Sequence, residues 1–326
     1  MLTLILAIIL ALVFAYLNGF NVASGILATI ISSRAMSPRM ALVLVAISEF
    51  CGPLLIGVAV AKTIVSGIVD PQNITLLVIL AALSGIILWG GVTWFFGIPM
   101  SSSYALIGSL VGSGWASSGS QAINFSGLTS VLVVMFASPI IGLVVGYLMT
   151  KLIYFLARDA SLKVNWFFKK AQIVTGIILG LSLGANDAQK SIGVITLALI
   201  LAGHLPEFQI PLWVMLACAA AMAAGVLSGG WRLIRTLGGK FYKIRPAHGF
   251  AAQLTAASVM LSAVALGGPV STTQVTSSAI LGAGSAERLN KVRWGVAGQI
   301  AMSWLLTIPF SAVLSALLYM LLKKVF

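Results

Sequence analysis

Asp187 and Lys190 fall inside the run Leu183-Gly184-Ala185-Asn186-Asp187-Ala188-Gln189-Lys190-Ser191-Ile192-Gly193, with long apolar stretches on either side. Two ionisable groups at membrane depth are costly unless they meet a partner, water or a bound ion, so their presence marks a functional site by default. Asn186 and Asp187 offer oxygen ligands to a cation. Gly176, Gly180 and Gly184 recur every four residues just before them and let a neighbouring helix approach closely. The functional reading is a helix that breaks near Gly184 to Asp187 and frees backbone groups, with Asp187 as cation ligand. The plainer reading is that Asn186 and Asp187 cap a broken helix and Asp187 neutralises Lys190 one turn later. Glu49 is a third ionisable group at membrane depth, able to bind a coupling cation, accept a proton, or pair with Lys190 or an interhelical donor.

A second constellation is chemically complementary. Ser101-Ser102-Ser103 and Ser271-Thr272-Thr273 each follow a proline by two positions, where a helix starts with unpaired amides pointing forward. Such N-termini bind anions, and hydroxyls from two opposed ones would surround a tetrahedral oxyanion with donors. Capping and interhelical hydrogen bonding are the ordinary alternatives.

The elements that must position these groups are membrane helices. Of 326 residues, 60% are hydrophobic and 8% charged, and the mean hydropathy is +1.10. Too few charges are present to cover a soluble surface. The first stretch, Met1 to Phe20, has no basic start and no cleavage site, and reads as a spanning helix, not a removed signal. Apolar stretches run approximately 2–32, 40–61, 74–98, 101–117, 128–156, 171–203, 210–231, 249–268, 271–285 and 294–322. Those at 101–117 and 271–285 are short and hydroxyl-rich, fitting either tilted spans or re-entrant hairpins.

If all ten cross, one side receives Arg34 and Arg39; Lys151, Arg158, Lys163, Lys169 and Lys170; Arg232, Arg235, Lys240, Lys243 and Arg245; Arg288, Lys291 and Arg293. These are fifteen of the nineteen basic residues, which places that side in the cytoplasm and Lys62, Lys323 and Lys324 outside. The net charge of +13 is therefore a topological signal, with anionic membrane lipid as its partner and no nucleic acid. Trp166, Trp231 and Trp294 flank these basic segments at the interface. Cys51 and Cys218 read as small apolar residues, and His204 and His248 as solvated loop residues. No catalytic elbow, Walker loop or metal cluster is present, so neither an enzyme nor a cofactor is expected.

The chain also repeats itself. Gly97-Ile98-Pro99-Met100-Ser101-Ser102-Ser103 with Gly112-Ser113-Gly114 returns as Gly267-Gly268-Pro269-Val270-Ser271-Thr272-Thr273 with Gly282-Ala283-Gly284, and Gly19-Phe20-Asn21-Val22 returns as Gly184-Ala185-Asn186-Asp187. Five apolar segments per half make the halves inverted, the pattern of secondary transporters with a site near the midplane. The fold class is thus an all-α polytopic membrane protein of two inverted repeats, 1–157 and 171–326, joined by a cytoplasmic linker at 158–170, with interrupted helices or re-entrant segments.

Asn18-Gly19-Phe20-Asn21, Ala28-Thr29 and Arg34-Ala35-Met36-Ser37-Pro38-Arg39, together with the Gly184–Gly193 run, resemble the inorganic phosphate transporter family over essentially the whole chain. That resemblance implies a cation-coupled symporter of inorganic phosphate in the cell membrane, driven by sodium or protons, and a homodimer. The residues expected around the anion are Ser101, Ser102, Ser103, Asn186, Gln189, Lys190, Ser271, Thr272 and Thr273, and those expected around the cation are Asn21, Glu49 and Asp187. No metal is expected beyond a coupling sodium at Asn21 and Asp187. The family's first motif resembles Gly-Phe-Asn-Asp-x-x-Asn, and here Val22 and Gly25 stand at its Asp and second Asn. Half of a paired acidic site is missing, which bears on the number or identity of coupled ions. Sulfate is the rival oxyanion, an uncoupled anion channel the rival mechanism, and a non-transporting sensor the third class.

Overall fold

A computed structural model of the chain describes residues 1–97, 100–161, 163–229 and 244–325. Pro99, Trp231, Arg232, Arg235, Lys240 and Lys243 lie outside the described residues. Eleven α-helices make up the described fold: α1 Leu2–Ser32, α2 Pro38–Ile56, α3 Ala59–Gly67, α4 Leu76–Phe96, α5 Ser102–Ser118, α6 Phe125–Leu156, α7 Val164–Leu201, α8 Leu212–Ser228, α9 Pro246–Ala265, α10 Thr272–Glu287 and α11 Trp294–Leu322. Seven of them, α1, α2, α4, α6, α7, α9 and α11, are long and apolar enough to cross a membrane.

Local chemistry sets the boundaries. Ser37 accepts from the Met40 amide to open α2, with Pro38 in its first turn. Asn124 opens α6 by accepting from the Gly127 amide. Gly97 closes α4 in the left-handed region at φ 67°.

One apolar stretch is not one helix. Residues 40–61 divide at Gly57, whose φ of 102° only glycine adopts readily, and Lys62, expected in a loop, sits exposed within α3. The break expected in α7 is absent, since α7 runs unbroken through Asn186 and Asp187. Asn186, Asp187, Gln189 and Lys190 each find a partner without unwinding, and the glycines of α7 serve packing. A Cβ at Gly184 would overlap the Glu49 carbonyl, and one at Gly180 would meet Ser48, so α2 lies directly on α7.

Two helix pairs fold back on themselves. In the first, Ser118 donates to the Asn73 carbonyl (3.0 Å) at the open end, and Thr93 meets the Met100 sulfur (3.6 Å) near the tip, so α4 and α5 are antiparallel. In the second, Arg245 and His248 at the start of α9 lie 3.4 and 3.5 Å from the Glu287 carboxylate at the end of α10. The 32-residue helix α6 is a ruler for both. Its start adjoins the open end of the first pair, with the Asn124 amide on the Ile68 carbonyl and the Asp70 amide on the Ala122 carbonyl. Its end adjoins the open end of the second, where Tyr154 and His248 share a 2.5 Å hydrogen bond. The tips meet beside its central part, Tyr104 against the Phe136 ring and Gly268 against Val134.

Each short segment is therefore the return arm of a hairpin that enters and leaves at one end, and the two hairpins open to opposite ends. A hairpin and a pair of crossings leave the chain on the same side, so the division of basic loops survives without moving a boundary. Ser33 donates to Gln172 (2.8 Å) and Gln172 to the Pro246 carbonyl (2.8 Å), which gathers the end of α1 and the starts of α7 and α9 at the Tyr154 end. Arg34, Arg158, Lys163, Lys169, Lys170 and Arg245 all belong to that end. Residues 157–163 connect α6 to α7, and Lys169 and Lys170 lie in α7.

His248 is the clearest misplacement from the sequence. It is a fully buried residue of α9, bonded to Tyr154 and accepting from the Arg245 amide (3.4 Å), because a helix start packed on α6 excludes water from it. His204 does lie in an exposed turn, and Cys51 and Cys218 are free thiols within helices.

Candidate functional site

The hairpin tips converge on the middle of α7. Ser101, the N-cap of α5, accepts from the Tyr104 amide (3.2 Å), and its hydroxyl lies 2.7 Å from that of Ser271, the N-cap of α10. Ser103 donates to the Val270 carbonyl (3.1 Å), and Asn186 donates to the same oxygen (3.1 Å). Lys190 closes the circuit, donating to Ser102 (3.3 Å) and paired with an Asp187 oxygen. Both tips are thereby fastened to each other and to α7.

Every residue of this circuit is buried, and the side chains of Asp187 and Lys190 are 0% exposed. The Asp187–Lys190 contact is the one-turn neutralisation that the sequence allowed. It occupies one carboxylate oxygen and leaves the other, Oδ2, without a hydrogen-bond partner. Asn18 Oδ1, Asn186 Oδ1 and Thr272 Oγ1 are likewise buried and unpartnered. A buried acceptor left without a hydrogen bond costs roughly 1–3 kcal/mol, so each of these is suited to meet a water or a bound ion.

Donors stand on the other side. The first amides of α5 and α10 have no intrahelical acceptor, because the ladders begin only with Ala105 on the Ser101 carbonyl and Val275 on the Ser271 carbonyl. Two positive helix ends thus face one another with the Lys190 ammonium beside them, an environment for an anion. The oxygen acceptors next to it suit a hard monovalent cation.

Two cavities, each of about 10 Å³, touch the circuit. One is lined by Ser103, Lys190 and Pro269 among apolar residues, the other by Asn18, Asn21, Met100 and Ser102. Each is about the size of a single water and too small for a tetrahedral oxyanion. A wider cavity, about 490 Å³, lies between α6, α11 and the hairpins and is almost wholly apolar.

Of the expected residues, Ser101, Ser102, Ser103, Ser271, Asn186, Asp187 and Lys190 come together. Thr272 and Thr273 follow Ser271 in the first turn of α10 and are buried there. Asn21 lines the second cavity. Gln189 is engaged elsewhere, donating to the Gly57 carbonyl (2.6 Å) and accepting from the Ala61 amide (3.0 Å) across the α2–α3 break. Glu49 does not meet Lys190. Both its carboxylate oxygens are buried without a hydrogen-bond partner, and its charge is coupled electrostatically to Asp187.

Asn18 is the residue that sequence reasoning missed. It donates to the Asp187 carbonyl (3.4 Å), directly opposite the motif on α7. Its signal was present, because Asn18 and Asn21 are three apart and share a helix face. Val22 is buried in the apolar core, and Gly25 packs on Thr276.

The sequence profile of the phosphate transporter family matches residues 18–315. The chain belongs to the phosphate transporter family. Among relatives, a "Probable low-affinity inorganic phosphate transporter" of Bacillus subtilis is 42% identical over 326 residues, covering 99% of this chain and 98% of that one. A protein of the same description from Rhizobium meliloti is 43% identical over 314 residues, covering 96% of this chain and 94% of that one. A solved structure described as "The sodium-dependent phosphate transporter" matches with a TM-score of 0.92 at 26% identity, covering 100% of both chains. This member of the phosphate transporter family is therefore a multi-pass transporter of the cell membrane and not an enzyme.

Proposed function

We propose that the chain is a cation-coupled symporter of inorganic phosphate. The observation that carries this reading is the junction at Ser102–Lys190–Asp187, where donors suited to an oxyanion adjoin acceptors suited to a cation. Binding either ion there changes the electrostatic work of binding the other, which is what coupling requires. Ser101, Ser102, Ser103, Ser271, Thr272 and Thr273 donate to phosphate with Lys190, and Asn18, Asn21, Asn186, Asp187 and Glu49 serve the cation. Sodium as coupling ion is supported by the description of the structural neighbour. Glu49 favours protons as a second reading, because a buried carboxyl with both oxygens unpartnered is well suited to carry one.

The oppositely directed hairpins support a reading of 1–157 and 171–326 as inverted repeats joined through 158–170. Alternating access then consists of parting the tips toward one end or the other.

Counterflow tests the substrate. Proteoliposomes loaded with unlabelled phosphate are expected to trap labelled phosphate transiently, with excess sulfate leaving the overshoot unchanged. An overshoot that sulfate removes as effectively as phosphate would transfer the assignment to sulfate.

A further inference from the structure

The chain has six acidic residues. Asp70, Asp159 and Glu207 lie in the connections between helices, and Glu287 is held by Arg245 and His248 at the open end of the second hairpin. Only Glu49 and Asp187 remain to charge the buried centre, because the apolar Val22 faces the core of α1. Among the described residues one buried cation stands against these two carboxylates, Lys190, whose contacts are a carboxylate oxygen and a hydroxyl at a helix start. A hard monovalent cation would take the same kind of ligands. The ammonium is tethered to α7 one turn from Asp187 and cannot leave with the cargo.

We propose that Lys190 stands permanently in the place of one coupling cation, so that a single cation accompanies each phosphate. The inference rests on the symport reading above. With both carboxylates ionised, two carboxylates and one ammonium leave the centre one positive charge short of neutral before phosphate enters, and one mobile cation completes it. Removing the ammonium leaves two charges to fill. A low-dielectric site gives that difference a large effect, since unpaired buried charges are strongly penalised. Phosphate also meets a resident positive charge beside Ser102, so part of its binding needs no added cation.

Counting labelled sodium, or protons, taken up per labelled phosphate in proteoliposomes tests this. The wild type is expected to carry one cation per phosphate, Lys190→Arg one, and Lys190→Gln two. Two or more in the wild type, or equal counts in wild type and Lys190→Gln, would overturn the proposal. Should Lys190→Gln bind phosphate without transporting it, sodium titration of phosphate binding by the purified full-length protein replaces the count. One more sodium bound by the variant than by the wild type supports the proposal, and equal binding overturns it. Lys190→Met serves in the same titration if Lys190→Gln is unstable, and the wild-type count stands whatever the variants do. Absence of phosphate transport in the wild type would instead sink the symport reading, while the sodium titration would still decide the role of Lys190.

Discussion

Asp187 and Lys190 share one buried contact, and the energetics of such a pair are asymmetric. Breaking it from one side leaves an uncompensated charge, at a cost of about 3–5 kcal/mol, whereas removing both partners together costs far less. Asp187→Asn is therefore expected to abolish gradient-driven accumulation and to lower thermal stability, while Asp187→Asn with Lys190→Gln recovers most of the stability and none of the accumulation. Thermal melting of detergent-purified protein, followed by size-exclusion chromatography, measures the first part. Additive losses in the double variant would show that the two side chains do not act as a pair. Both residues were legible in the sequence because an apolar run makes any charge conspicuous. Asn18 shares a helix face with Asn21, but its place opposite Asp187 follows only once its neighbour across the interface is known. The partners of Gln189, Gly57 and Ala61, were hidden for the same reason, since they belong to a segment far away in sequence.

At the level of elements, the two hairpins are held tip to tip by side chains that recur 170 positions apart, Ser101 and Ser271. Their separation is the motion that the proposed transport cycle demands. With Cys51 and Cys218 replaced by alanine, a Ser101→Cys/Ser271→Cys variant is expected to form a disulfide across the tips, since the 2.7 Å between the hydroxyl oxygens leaves room for that bond. Oxidation is expected to stop phosphate uptake and reduction to restore the residual activity. Uptake that continues undiminished in protein shown to be fully cross-linked would exclude tip separation as the transport step. The sequence disclosed these arms as short hydroxyl-rich segments, but whether they crossed or turned back depended on what lay beside them. Tyr104 against Phe136 and Gly268 against Val134, contacts between distant segments, decide it. The break expected in α7 belongs instead to α2–α3, where Gly57 supplies the turn and Gln189 supplies the missing partners.

Across the whole molecule, the distribution of charge orders the fold. Among the described residues most basic side chains collect at the end where α6 and α9 meet, and the buried centre holds two carboxylates and one ammonium. This division was readable from the sequence because the bilayer enforces it on every loop and span. A channel and a symporter would share all of these features, and the energetic link between the two ions separates them. Proteoliposomes with equal phosphate inside and out, given an inward gradient of sodium or of protons in separate experiments, provide the most direct measurement. Accumulation of labelled phosphate above its equilibrium level under one of the two gradients, collapsing when that gradient is dissipated, is the expected result. Uptake that only ever reaches equilibrium under either gradient would contradict coupled transport.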